Sequence, residues 1–182
     1  MKELSLNILD IAENSLKAEA TLTEILITED DNLLTVTIKD NGYGMSEETI
    51  RSVVNPFYTT RTTRRVGLGI PLFKLAAEQT GGSITISSNE RKYSDDHGTT
   101  VSAVFYKNHI DFTPLGDVVS TITTLIQGHP NSDFLFIHEI NGASVTLDTR
   151  EIRAILEDIP LDSFEILCWI KENLLEQYEG IK

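Results

Sequence analysis

The 182-residue chain reads as an α/β protein, a two-layer sandwich in which helices cover one face of a mixed sheet, with a smaller α+β unit after it. Three observations predict this. Apolar residues recur at helical spacing in residues 4–18 and again after Gly67. Ile25/Ile27, Leu34/Val36/Ile38 and Ile84/Ile86 alternate with polar residues, the period of a strand with one buried face. The hydrophobic content of 40% is ordinary for a globular chain, and the length suffices for one full core plus a small second unit.

Taken in order, Leu6, Ile8, Leu9, Ile11, Ala12 and Leu16 make residues 4–18 an amphipathic helix. Strands follow at 22–28 and 33–40, then a short helix around 46–54. Residues 55–66 are rich in Thr and Arg without apolar periodicity, and read as a mobile cover rather than as core. A helix from Gly67 to about Gln79 is closed by Gly81-Gly82, and strands are expected near 83–88 and 99–107. Residues 1–107 therefore form the main domain. Beyond it come a helix at 114–127, a strand at 133–140, a type I′ turn at Asn141-Gly142 and a return strand at 143–148. Helices at 149–158 and 162–178 flank Pro160. This stretch, 108–182, is either a separate acidic module or an extension packed on the first sheet.

The net charge of −13 is uneven: residues 1–107 carry 15 acids and 11 bases, and residues 108–182 carry 13 acids and 4 bases, giving −4 and −9. A chain this acidic is a poor partner for nucleic acid, which argues against a DNA topoisomerase role. A polyanionic ligand would depend on local donors and a divalent cation rather than on a general positive field. No apolar run approaches the roughly 20 residues that cross a bilayer, and the first residues lack the apolar core of a secretory signal, so a cytoplasmic location without membrane contact is expected. The one cysteine, Cys168, lies beside Trp169 in an apolar run and is expected to be a buried thiol. His97, His109 and His129 adjoin turn residues and are expected to be solvated, with no metal-ligand spacing among them. His138-Glu139-Ile140 leads into the Asn141-Gly142 turn, where a phosphoacceptor motif would need a helix. No G-x-x-x-x-G-K-[ST] occurs.

The chemistry concentrates between residues 10 and 70. Asp40-Asn41-Gly42-Tyr43-Gly44-Met45 puts an acid at the end of a strand, where it can accept a hydrogen bond from an amino group, with glycines that let the backbone close against a flat ring. Gly67-Leu68-Gly69-Ile70 opens a helix whose unpaired N–H groups and dipole favour phosphate. Asp10, Asn14 and Lys17, at i, i+4 and i+7, fall within roughly 60° of one another on the first helix. An Asn oxygen suits Mg²⁺, a carboxylate can orient or deprotonate water, and a Lys can meet phosphate.

In these segments the chain resembles the Bergerat-fold ATPases shared by gyrase, the heat-shock chaperone, MutL-type mismatch repair proteins and sensor histidine kinases. The likeness covers residues 4–106. Asp10-Ile-Ala-Glu-Asn14-Ser-Leu-Lys17 is similar to the family's N box, and residues 40–45 and 67–70 to its two glycine boxes. The resemblance implies Asn14 as the Mg²⁺ ligand, Asp40 as the adenine acceptor, and Gly42, Gly44, Met45, Gly67, Leu68, Gly69 and Ile70 as the cradle for ATP or ADP. Gly98-Thr99 is similar to a late Gly-Thr whose hydroxyl supports the adenine, here Thr99. Asn55-Pro-Phe57-Tyr-Thr59-Thr60-Arg61 resembles the F box of histidine kinases, adding Phe57, Thr59, Thr60 and Arg61 to the nucleotide site, and Lys17 matches a phosphate-contacting base in those kinases. Glu13-Asn14-Ser15-Leu16 also resembles the mismatch-repair branch, in which the acid four before the Asn activates water. That acid is Asp10 here, one methylene shorter than the usual Glu.

Three functions follow as expectations. The first is a stand-alone Mg-ATP-binding kinase subunit that phosphorylates a His, or a Ser as in the related anti-sigma kinases, on a separate protein in signal transduction, with Asp10 and Lys17 as catalytic residues. The others are a nucleotide-gated switch and a slow ATPase. A protein partner is implied by each kinase or switch reading, and a homodimer is left open.

Overall fold

In the computed structural model, which describes residues 3–54 and 68–181, the chain runs α1 (Leu4–Lys17), β1 (Leu22–Glu29), β2 (Leu33–Asp40), α2 (Glu47–Val54), α3 (Gly69–Gln79), β3 (Ser83–Asn89), β4 (Gly98–Tyr106), α4 (Val118–Gly128), β5 (Asp133–Ile140), β6 (Ala143–Asp148), α5 (Thr149–Leu156) and α6 (Phe164–Glu179). The six strands form one sheet in the order β3-β4-β2-β1-β5-β6. All neighbours are antiparallel except β1 and β5, so the sheet is mixed. The strands of residues 108–182 thus lengthen the same sheet: Leu22 pairs with Asp133 and Glu29 with Ile140.

The alternation seen in the sequence sorts the strands into two faces. Ile25, Ile27, Leu34, Val36, Ile38, Val101, Ala103, Phe105, Phe134 and Phe136 point into the helix layer and are buried. They pack there with Ile8, Ile11 and Ala12 of α1, Phe73 and Ala77 of α3, and Ile122, Leu125 and Ile126 of α4. Burial of each large side chain contributes about 1.5–3 kcal/mol. The β6 edge of the sheet is blunted by a side chain: Thr146 N–H donates to Gln177 Oε1 at 2.8 Å, and Gln177 Nε2 donates to the Thr146 carbonyl at 3.0 Å, occupying β6 as a further strand would. No helix among the described residues is long and apolar enough to cross a membrane.

The C-terminal helices differ from the sequence expectation at their ends. The helix expected at 114–127 begins only at Val118, because the carbonyls of Pro114 and Leu115 are taken by Leu4 N–H and Ser5 N–H at the start of α1. Gly116 turns the chain at φ 80°, and Asp117 then caps α4 by accepting from Ser120 N–H at 2.9 Å. The segment that caps α1 is thereby kept out of α4. The helix expected at 149–158 stops at Leu156, with Glu157 at φ 53°. Cys168 is half-buried rather than buried, on a turn of α6 whose neighbour Trp169 is exposed.

His138 sits on β5, buried beneath α6, with Nδ1 2.7 Å from the Tyr178 hydroxyl. Its Nε2 lies 3.5 Å from Glu29 Oε1, within reach of charge attraction but without hydrogen-bond geometry. Burial lowers the His138 pKa from its usual 6.5, with Lys107 adding to the effect, and outweighs the pull of Glu29 in the other direction. The folded chain therefore binds this proton more weakly than the unfolded chain, and the stability this confers is complete above 6.5 and is lost as pH falls below it. Denaturant midpoints are expected to drop between pH 7 and pH 5.5 (roughly the range over which a free His titrates), and His138→Gln is expected to flatten that slope. The lowered carboxyl groups of Asp30, Asp117 and Asp148 act only below their usual 3.8 and leave this window clear.

Candidate functional site

The end of β2 and the end of α1 meet at one pole of the sheet. Asp40 closes β2, is only 8% exposed, and is held from three sides. Its Oδ1 accepts from Gly42 N–H at 2.9 Å and Thr99 N–H at 3.2 Å, and its Oδ2 accepts the Ser15 hydroxyl at 2.8 Å. A carboxylate offers about four acceptor positions, so one on Oδ2 is left for whatever fills the cleft beside it. That cleft measures about 760 Å³, an ordinary size for a small-molecule site. Ile11, Ile38, Val53, Ile70 and Val101 give it apolar walls, and Asn14, Lys17, Asp40, Gly44, Met45 and Thr99 also line it.

The glycines are required by close protein packing rather than by open space for a ring. A Cβ on Gly44, at φ 73°, would lie 1.9 Å from the Asn89 carbonyl oxygen, and one on Gly42 would lie 2.7 Å from that of Ala18. The loop after Asp40 is bound on both sides: Tyr43 N–H donates to the Ala18 carbonyl at 2.9 Å, Arg91 N–H to the Tyr43 carbonyl at 2.9 Å, and Met45 N–H to Ser88 Oγ at 2.7 Å. His97 Nδ1 donates to the Gly42 carbonyl at 2.6 Å, so this histidine braces the loop and is not simply solvated. Ser88 Oγ donates to the Gly98 carbonyl at 2.8 Å, which leaves Thr99 Oγ1, also 2.8 Å away, to donate to Ser88. Thr99 then keeps acceptor capacity toward the cleft.

The stripe on α1 divides. Asn14 and Lys17 line the cleft, whereas Asp10 is exposed, does not line it, and sits against the first turn of α3. A Cβ on Gly69 would come within 2.9 Å of Asp10 Cβ, so glycine there lets α3 approach α1. Among the described residues no side chain caps the start of α3, and Pro71 in its first turn has no N–H, so the N–H groups of Gly69 and Ile70 are the donors this helix start could offer a ligand. Leu68 is exposed. Gly67, Phe57, Thr59, Thr60 and Arg61 lie outside the described residues.

Among the described residues the Asn14 carboxamide has no hydrogen-bond partner, and no group of three or more His, Cys, Asp or Glu side chains could hold a metal alone. One free oxygen donor at the cleft wall would suit Mg²⁺ carried mainly by a ligand's phosphates and water, not an all-protein cage. Several lining residues were missed in the sequence. Ser15 had a signal, since it is a polar residue at a position the helical period assigns to the buried face; Ser88, which braces Met45 and Thr99 without lining the cleft, carried the same signal in the strand period. Arg91 and Lys92, on the β3–β4 connection, also line the cleft, each paired with an acid, Arg91 with Glu19 and Lys92 with Glu90; nothing local marks them.

A model of the family described as histidine kinase-, DNA gyrase B-, and HSP90-like ATPase matches residues 2–124. Sporulation kinase A of Bacillus subtilis (strain 168) is 32% identical over 92 residues, covering 50% of this chain and 15% of that protein. The sensor histidine kinase YvrG of the same organism is 31% identical over 93 residues, 49% of this chain and 15% of that one. The chain thus spans only a small part of the length of these relatives. The ATPase domain of Aquifex aeolicus MutL, solved in complex with ADP, has a TM-score of 0.52 and 15% identity, covering 97% of this chain and 70% of that one, a likeness of fold.

Proposed function

The chain belongs to the histidine kinase-, DNA gyrase B- and HSP90-like ATPases, and from that premise we propose that it binds Mg-ATP in the Asp40 cleft and passes the γ-phosphoryl group to a separate protein. The observation that carries the proposal is Asp40: a buried carboxylate with three of its acceptor positions filled and one left, at the end of an apolar cleft. An adenine amino group matches the vacant position, with Thr99 Oγ1 beside it and Ile38, Val101 and Ile70 against the ring faces. The triphosphate then runs toward Lys17 and the first turn of α3. Asn14 would hold Mg²⁺, which would neutralise phosphate charge as the γ-group leaves. Residues 1–107 supply this site and residues 108–182 extend the sheet that carries it.

Transfer or gating fits better than hydrolysis. A water-activating base must reach the attacking water; Asp10 is short and exposed, and although it sits against the first turn of α3 it is not among the described residues that line the cleft. Catalysis would rest on positioning and charge neutralisation by Lys17 and the metal.

Incubation of the full chain with γ-labelled ATP in lysate of the cell that makes it, followed by acid and alkali treatment, tests the proposal. An acid-labile, alkali-stable label on another protein is expected, as phosphohistidine gives; a stable phosphoester would shift the acceptor to Ser. No label on any protein, with calorimetry still giving Mg-ATP binding, would replace transfer by a nucleotide-gated switch.

A further inference from the structure

Glu13 and Lys17 stand at i and i+4 on α1, the spacing and order in which a Glu–Lys ion pair forms most readily on a helix surface. They do not pair. Glu13 Oε1 instead accepts from His129 Nε2 at 2.9 Å, and a carboxylate can only accept, so the imidazole proton is on that nitrogen. His129 lies in the connection between α4 and β5, beyond the residues matched by the family model. Its position is fixed locally: its N–H donates to the Leu125 carbonyl at 3.0 Å, and its carbonyl accepts from Ser132 N–H at 3.1 Å. Among the described residues Lys17 has no carboxylate within ion-pair distance, and it lines the cleft.

We propose that His129 is a positioning residue for the nucleotide site: by holding Glu13 it withholds that carboxylate from Lys17 and leaves the ammonium group for the phosphates. The proposal rests on the reading of the cleft as a nucleotide site with Lys17 at the phosphate end. Without the imidazole, Glu13 turns to its favourable i+4 neighbour, and the phosphates must compete with it for the same cation. The cost falls on phosphate binding and spares the base, which is held at Asp40.

The test uses the full chain, with Mg-ATP and adenosine as probes in calorimetry. His129→Ala is expected to weaken Mg-ATP by about two- to fivefold, the scale of an exposed ion pair, and to leave adenosine unchanged. His129→Gln keeps a donor for Glu13 and is expected to retain the parent affinity. Glu13→Gln is expected to bind Mg-ATP as tightly as the parent or tighter, and Glu13→Gln with His129→Ala together to restore what His129→Ala lost. A mere structural brace predicts the reverse, with Glu13→Gln as damaging as His129→Ala and no recovery in the pair; that result, or an unchanged His129→Ala, overturns the proposal. Lys17→Met separates the layers. If it leaves Mg-ATP affinity unchanged, the phosphate role of Lys17 fails and takes the proposal with it; if it weakens Mg-ATP while the double variant does not recover, only the role of His129 fails.

Discussion

Asp40→Asn is expected to weaken adenine-nucleotide binding by about 100-fold while leaving the fold largely intact. The substitution keeps shape and changes only which atoms accept. With the amide oxygen at the Oδ1 position, Gly42 N–H and Thr99 N–H keep their acceptor. The amide NH₂ then stands at Oδ2, where it meets the Ser15 hydroxyl and the adenine amino group. Ser15 can adapt, because its hydroxyl rotates and has the Ile11 carbonyl 3.5 Å away as an alternative acceptor. The adenine cannot: its amino group faces another donor in a buried corner, losing a bond to a charged acceptor and gaining an unsatisfied contact. Together these cost about 3 kcal/mol, or two decades in affinity. Calorimetry with Mg-ADP and Mg-ATP reads the effect directly, and the thermal midpoint checks that the fold survives. Binding within threefold of the parent would remove Asp40 from the base site.

Gly98→Ala is expected to cost about 3 kcal/mol or more of stability. Gly98 opens β4 at φ 129°, and a Cβ there would lie 1.9 Å from the Asp40 carbonyl oxygen and 2.8 Å from its carbon. Both are backbone atoms, so relief requires β4 to move from β2 at the Asp40–Thr99 pair that shapes the site. A fall of about 6–12 °C in the thermal midpoint follows for a chain of this size, with loss of nucleotide affinity as Thr99 N–H is drawn off Asp40. Gly142→Ala is the control. Gly142 also has a positive φ, 88°, but a Cβ there meets nothing within 4 Å, so only the conformational cost of about 1 kcal/mol remains. Equal effects at the two positions would mean that the approach at Gly98 is not tight.

Much of this was legible from the order of residues alone, for a physical reason. Local periodicity reports which way a side chain faces, and that was enough to bury Ile25, Val36 and Ile38, to place α1 and α3, and to end β2 on an acid. Periodicity does not report which strand lies beside which. Nothing in residues 22–29 or 133–140 announces their parallel pairing, so the place of residues 108–182 stayed open in the sequence. The start of α4 was misjudged because the competing demand on Pro114 and Leu115 comes from the far end of the chain. In the cleft, Asp40, Asn14, Lys17, Met45, Ile70 and Thr99 come together as the motifs suggested, whereas Asp10 stands apart. The contacts that tune the acid, from Ser15 across 25 residues and from Thr99 across 59, are tertiary and have no local trace.

The parallel partnership of the central strand also bears on how the chain is made. β1 is synthesised well before its second neighbour, which begins 111 positions later, at Asp133. Until that later strand is synthesised, β1 presents an open row of backbone donors and acceptors with the alternating Ile side chains of a sticky edge. Between the completion of β2 and the arrival of β5 that edge of the sheet is unpaired, and the pairing of β5 with β1 is the step that closes it.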